Sequence, residues 1–281
     1  MTIEELKAVW RAPQRDPENA KALWNSQADD TVYVTIPTFE GSGFLRLLEE
    51  EHMLQKSFDV LDIGCGTGVY SAAISEKINA AVGYDIAAGM LANGRKILER
   101  ENIKNVVLKQ ADWQTLDIEA ESLEEHFDLV FAHTTPAVCD LASFEKMLRA
   151  SKKFCAISVF TRPHQPIMQA VHDIAGVPLG DGYFAGYLEK SMTYMFDYLF
   201  QSGYSPKFYY EKTQYDFVQK LEDSYPYYLD AIKAHKALSA AEEKQIRDYI
   251  ASTARDGIVT EQMNPTIVTI YWNKLERHCV D

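Results

Sequence analysis

The stretch Asp59-Val60-Leu61-Asp62-Ile63-Gly64-Cys65-Gly66-Thr67-Gly68 decides how the chain folds. Val60, Leu61 and Ile63 form a short apolar run of the kind that becomes a buried strand. Three glycines at alternate positions then make a turn, and Tyr70–Ile78 has the pattern of a helix. Glycine takes positive φ and lets a ligand approach the backbone with no Cβ in the way. Ligands of open parallel sheets bind beyond the C-terminal strand ends. The spacing narrows the ligand class. The dinucleotide fingerprint is G-x-G-x-x-G, and here Val69 stands where its third glycine belongs. The G-K-[ST] ending of a Walker loop is absent. Asp62, just ahead of the first glycine, would repel a pyrophosphate and favour a cationic ammonium or sulfonium.

Outward from this turn, strands and helices alternate. Ala80–Tyr84, Val106–Leu108, Phe127–Phe131 and Phe154–Phe160 are further short apolar runs. Met90, Leu91, Ile97 and Leu98 share one helical face, and Phe144, Met147 and Leu148 mark another helix. Such alternation means βαβ units and a mainly parallel sheet. Asp85 ends the second strand, where an acid can accept both hydroxyls of a ribose. Asp112-Trp113 follows the third and offers an acceptor for an exocyclic amine beside a flat ring, as an adenine needs. The three acids thus fall at successive strand ends, on one edge of the sheet.

These residues resemble the class I S-adenosylmethionine-dependent methyltransferases. Asp62–Gly68 matches that family's D/E-x-G-x-G-x-G motif in full, Asp85 its ribose-binding acid, Asp112-Trp113 its adenine-binding pair, and Phe127–Phe131 its fourth-strand motif. The resemblance covers roughly residues 57–160. It implies a Rossmann-like α/β fold: a seven-stranded, mainly parallel sheet flanked by helices, with the last strand antiparallel. Lys207–Phe217 and Thr266–Trp272 would be the final two strands. It also implies S-adenosylmethionine as cofactor and S-adenosylhomocysteine as product. The cofactor would be held by Asp62, Gly64, Cys65, Gly66, Gly68, Asp85, Ile86, Asp112, Trp113 and His133. Leu23-Trp24-Asn25 to Tyr33 resembles, more weakly, the lid helix of some members.

The acceptor side is less explicit. His133-Thr134-Thr135-Pro136 follows the fourth strand, where substrate and methyl donor meet in the family. It departs from the N/D/S-P-P-Y pattern of members that methylate nucleobases or glutamine amides. His133 and Thr134 are the candidate catalytic residues: an imidazole is a base available near pH 7, and the hydroxyl could position a substrate group. Trp24, Tyr33, His164 and Tyr225 are candidates for lining or covering the substrate. Tyr225-Pro226-Tyr227-Tyr228 is expected to break a helix in the presumed cap. Residues 31–36 alternate weakly, as a strand would. Cys65 has no basic partner in view and is expected to be a small loop residue, not a nucleophile.

Composition bounds the rest. The 281 residues are 47% hydrophobic and 25% charged, ordinary for a globular protein. Lys and Arg total 28 against 41 Asp and Glu, a net charge of −13. That balance argues against nucleic acid or an anionic membrane as partner. No apolar run approaches the roughly 20 residues that span a bilayer, and the first residues lack the apolar core of a secretory signal. Four cysteines without metal spacing predict no metal site and a reducing, cytoplasmic setting. The expected organisation is a helical N-terminal lid over 1–57, a cofactor-binding domain over 58–217 and 257–281, and a helical cap insertion over 218–256. The expected activity is methyl transfer to a small-molecule acceptor by in-line displacement. A non-catalytic S-adenosylmethionine-binding protein, or aminocarboxypropyl or aminopropyl transfer on the same fold, are the alternatives. The sequence carries no signal for oligomeric state.

Overall fold

Apolar runs too short for helices and flanked by glycines or acids build the sheet. A computed structural model describes residues 1–11, 17–28, 31–161, 165–177, 185–233 and 236–278. Four helices come first: α1 Ile3–Val9, α2 Pro17–Ser26, α3 Thr31–Val34 and α4 Gly43–Glu50. Then follow β1 Asp59–Ile63, α5 Val69–Ile74 with a 3-10 turn, β2 Ala80–Asp85, α6 Ala88–Arg100, β3 Val106–Gln110, β4 Phe127–His133, α7 Leu141–Ala150 and β5 Ser151–Thr161. The remaining elements are α8 Pro166–Ala175, α9 Ala185–Gln201, β6 Lys207–Lys212, β7 Tyr215–Lys220, α10 Leu221–Lys233, α11 Ala240–Thr253, β8 Ile258–Met263 and β9 Thr266–Asn273. Among the described residues no helix is long and apolar enough to cross a membrane.

The chain divides into two compact units. The first comprises Met1–Val159, Lys190–Glu211 and Val268–Asp281, and the second Phe160–Glu189 and Lys212–Ile267. A seven-stranded sheet runs in the order β3-β2-β1-β4-β5-β9-β6. The pairs β1–β2, β1–β4, β2–β3 and β4–β5 are all parallel, with Leu61 opposite Val82 on one side and Val130 on the other. The last strand, β9, lies between β5 and β6. Strands covered on both faces read as continuous apolar runs, and β1 and β4 are buried along nearly their whole length.

The chain moves outward from β1 to β3, then restarts at β4 and moves the other way. This reversal opens a crevice beyond the ends of β1 and β4. One core gathers Phe44, Leu45 and Leu48 of α4 with Ala72 and Ile74 of α5, Leu91 and Leu98 of α6, and the strands beneath. Elsewhere in this unit, the Trp10 ring sits 5.2 Å from Phe144 and 5.9 Å from Tyr194. Its indole N–H donates to the Cys139 carbonyl at 3.0 Å.

The second unit packs α8, α10 and α11 around Ile167, Val171, Tyr228, Leu229, Ile246 and Ile250. Its two strands, β7 and β8, pair antiparallel from Tyr215–Met263 to Lys220–Ile258. Three local expectations change here and at the N-terminus. Thr31–Val34 is a single helical turn, not a strand. The run Lys207–Phe217 divides at Thr213, whose N–H and Oγ1 both donate to the Pro265 carbonyl at 3.0 Å, so β6 and β7 belong to different sheets. Pro226 does not break α10, which continues to Lys233. A helix-interior proline costs about 3 kcal/mol, and burial of Tyr228, Leu229 and Ile232, which follow it in the helix, offsets it.

Candidate active site

The glycine turn is built as its sequence demands. Gly64, Gly66 and Gly68 have φ of +67°, +55° and +73°. Gly64 N–H and Cys65 N–H both donate to the Tyr84 carbonyl, at 2.8 and 3.0 Å, which pins the turn to the end of β2. The neighbours of each glycine differ. A Cβ on Gly64 would lie 2.0 Å from Thr135 Oγ1, and one on Gly68 would meet Leu108 at 2.7 Å. A Cβ on Gly66 would meet nothing within 4 Å. The first and third glycines therefore serve close packing, and the middle one borders open space. Gly94 of α6 is a fourth constrained position, since a Cβ there would come within 2.3 Å of the Thr67 carbonyl oxygen.

Two of the three acids converge on this turn. Asp85 Oδ2 accepts from Gly66 N–H and Oδ1 from Ala87 N–H, each at 2.8 Å. Burial raises its carboxyl above the ordinary range, and the hydrogen bonds from Ala87, Gly66 and Ile86 oppose that shift. Asp62 is 3% exposed and accepts from Ser71 Oγ at 2.8 Å. Burial pushes its carboxyl up to about 7; the Ser71 bond lowers it, and the Asp85 charge raises it again. Asp112 lies in the loop after β3, its Oδ1 accepting from Gln114 N–H at 3.1 Å. Trp113, expected as a flat ring beside adenine, is 2% exposed, and its indole N–H donates to the Ser143 carbonyl at 3.1 Å. Its ring packs the interior under the loop and leaves almost no face for a ligand.

Trp24, Tyr33 and Ile86, distant in sequence, come together around Ala28, Ala87 and Met90. Asn25 Oδ1 accepts from Gly89 N–H at 2.7 Å, and Asn93 Nδ2 donates to the Ala28 carbonyl at 3.1 Å. Thr67 Oγ1 donates to the Tyr33 carbonyl. The N-terminal helices thus lie against the start of α6 and the glycine turn, beside Asp85. Cys65 is pressed against Gly83, and burial drives its thiol well above its ordinary pKa, so it is no nucleophile.

His133 closes β4 in an aromatic sandwich, its ring 4.3 Å from Phe44 and 4.2 Å from Tyr70. Its Nδ1 is buried without a hydrogen-bond partner. Burial pulls its imidazole down to about 3, so the ring is neutral at physiological pH and a weak base. Thr134 has φ of +49°, and its N–H donates to the Ser158 carbonyl at 2.9 Å. A β-branched residue in this region stores of order 1–3 kcal/mol of strain, which gathers at functional turns. His164 lies outside the described residues. Tyr225 belongs to the second unit, with the Arg247 guanidinium 4.9 Å from its ring centroid. Among the described residues no three His, Cys, Asp or Glu side chains gather as a metal set.

Sequence reading missed Ser71, Thr135, Phe44 and Tyr70. Ser71 alone carried a signal: a polar residue on the otherwise apolar face of α5, nine positions after Asp62.

These features fit a cationic nucleoside ligand. The open ground over Gly66 admits it, and a carboxyl held near neutrality by burial gains from an ammonium or sulfonium beside it. The shift has a measurable consequence. A carboxyl whose folded value is about 7 against an ordinary 3.8 favours the folded state at low pH. That contribution, about 4 kcal/mol, is present below about pH 4 and lost as pH rises through 7. Urea unfolding of the ligand-free protein at pH 4 to 8 should show this loss, and Asp62→Asn should flatten it. An Asp62→Asn protein with the wild-type pH profile would refute the assignment.

Comparison with known proteins agrees with the geometry. Residues 54–173 match the family described as Methyltransferase domain. Malonyl-[acyl-carrier protein] O-methyltransferase 2 of Ilyobacter polytropus is 33% identical over 84 residues, 29% of each chain. A malonyl-[acyl-carrier protein] O-methyltransferase of Bacillus cereus is 28% identical over 105 residues, 37% of this chain and 36% of its own. The chain thus matches about a third of the length of these curated relatives. Among solved structures, the YcgJ protein of Bacillus subtilis aligns with a TM-score of 0.50 at 14% identity, over 83% of this chain and 98% of its own. Phosphoethanolamine N-methyltransferase 2 of Haemonchus contortus, solved with S-adenosylhomocysteine, aligns at 0.52 and 15% identity, over 94% of this chain and 60% of its own. Residues 54–173 thus resemble a methyltransferase domain in sequence, on a fold shared with these solved structures.

Proposed function

We propose that the protein transfers a methyl group from S-adenosylmethionine to a small-molecule acceptor. The observation that carries this reading is the Asp62–Gly68 turn tied to Asp85 at the crevice where the strand order reverses, with open space over Gly66. Bound S-adenosylmethionine supplies an electrophilic methyl group on a sulfonium. Asp62, Gly64, Cys65, Gly66 and Gly68 would hold its amino-acid part, Asp85 and Ile86 its ribose, and Asp112 its adenine. His133 and Thr134 would border the acceptor. A neutral His133 of low basicity suits packing and hydrogen bonding better than proton removal, so alignment and exclusion of water carry the rate. Trp24 and Tyr33 would close over the nucleoside.

A small acceptor is supported by the net charge of −13, which disfavours nucleic acid. The acceptor malonyl-[acyl-carrier protein] of the sequence relatives supports it as well. A cytoplasmic setting agrees with the thiols of Cys65 and Cys155, which form no disulfide. Calorimetry should show binding of S-adenosylhomocysteine and none of NAD. Incubation with S-adenosylmethionine and an acceptor panel should give products heavier by one CH₂. Larger mass additions would mean aminopropyl or aminocarboxypropyl transfer instead. Tight binding without any product would mean a non-catalytic binder.

A further inference from the structure

The loop after β3 is fastened by one side chain from a distant helix. Lys146 of α7 extends its Nζ beneath that loop and donates to three of its carbonyls: Trp113 at 2.8 Å, Gln114 at 3.2 Å and Leu116 at 2.7 Å. An ammonium has three donors, and here each has an acceptor in one short turn. The same Nζ lies 5.6 Å from the centroid of the Trp113 ring. The Asp112 carbonyl accepts from Thr115 N–H at 3.0 Å and Leu116 N–H at 2.9 Å, which closes the turn from the other side. Trp113 adds a second tie to α7 through the Ser143 carbonyl. The 112–116 turn is therefore a cage of carbonyls around a cation, and its first residue is Asp112.

We infer that Lys146 is a positioning residue for the nucleoside base: it fixes the 112–116 turn, so that Asp112 meets the exocyclic amine of adenine in a set orientation. The inference rests on the cofactor reading above and adds a residue to it. Lys146 itself need not touch the ligand. Removal of its charge frees three carbonyls to turn toward water, and the turn that carries Asp112 loosens with them. A residue that merely stabilised the fold would weaken every ligand alike. A positioning residue changes how the site distinguishes one base from another.

The test compares three ligands by calorimetry. S-adenosylhomocysteine carries the 6-amino group, S-inosylhomocysteine a 6-oxo group, and S-ribosylhomocysteine no base. Lys146→Met should weaken S-adenosylhomocysteine about tenfold and narrow its preference over S-inosylhomocysteine by a similar factor. Affinity for S-ribosylhomocysteine should stay within about twofold of wild type, and Lys146→Arg should restore much of the preference. An unchanged preference in Lys146→Met, or equal weakening of all three ligands, overturns the inference. Should Lys146→Met fail to fold, Lys146→Gln, which keeps two donors, carries the same comparison. A wild-type protein that binds none of the three overturns the cofactor reading itself.

Discussion

Asp85→Ala should weaken S-adenosylhomocysteine binding by about 100-fold or more, because one change removes two kinds of bond. The carboxylate accepts from Gly66 N–H and Ala87 N–H in the unliganded protein, so it already joins the glycine turn to the start of α6. Each oxygen has a further lone pair for a ribose hydroxyl. Hydrogen bonds to a charged partner contribute about 1.5–3 kcal/mol each, and two lost to the ribose account for the expected factor. Loss of the two backbone bonds adds a cost to the fold itself. Stability should fall by about 1–3 kcal/mol, since Gly66 and Ala87 are left to find water. Asp85→Asn separates the contributions. Its one carbonyl oxygen can replace one acceptor and its amide cannot replace the other, so affinity should fall to an intermediate value. Calorimetric titration of the three proteins at pH 7.5 decides the matter. Wild-type affinity in Asp85→Ala would remove Asp85 from the site.

The prominence of Asp85 in the sequence has a physical origin. Strands buried on both faces tolerate little but apolar residues, so an acid at the end of Val82-Gly83-Tyr84 announces a change of environment. The same logic made β1 to β5 legible, along with the glycine turn, where positive φ admits few other residues. Legibility ended where partners lie far apart in the chain. Nothing near Gly64 indicates Thr135, yet the two are in contact. Trp113 reads as an aromatic wall because pattern specifies residue type and not direction, whereas its indole N–H points to Ser143 of α7. His133 is equally instructive. A histidine at a strand end suggests a base, but Phe44 and Tyr70, from α4 and α5, remove the water that a charged imidazole needs. The β7–β8 pair was hidden because β7 exposes alternate residues and contributes little apolar signal. The helical turn at Thr31–Val34 overrides β-branched propensity in a segment whose Tyr33 packs beside Trp24.

Glu261 is the residue that sequence reading had least reason to notice, and its removal should destabilise the protein most. It sits in β8, where alternate residues are buried, and is 1% exposed. Its Oε1 accepts from Ile167 N–H at 2.7 Å and Met168 N–H at 3.0 Å, and its Oε2 accepts from Tyr228 OH at 2.9 Å. The two amides belong to the first turn of α8, whose N-cap, Gln165, makes no side-chain capping bond. A strand glutamate thus supplies the cap that the helix lacks, and its charge suits the helix N-terminus. Glu261→Ala would leave two buried amides and a buried phenol without partners. At about 1–3 kcal/mol for each unsatisfied group, the loss should reach about 3–5 kcal/mol. That is a large fraction of the 5–15 kcal/mol, roughly, by which native proteins are stable. Glu261→Gln keeps one acceptor and should cost less than half as much. Tyr228→Phe removes only the third bond, so its effect should largely vanish in the Glu261→Ala background. Urea unfolding of the wild type, the three single variants and the double variant would measure each difference, and amide exchange at Ile167 and Met168 would locate it. A Glu261→Ala protein within about 0.5 kcal/mol of wild type would mean that water replaces all three bonds, and that the buried carboxylate is not what holds the start of α8.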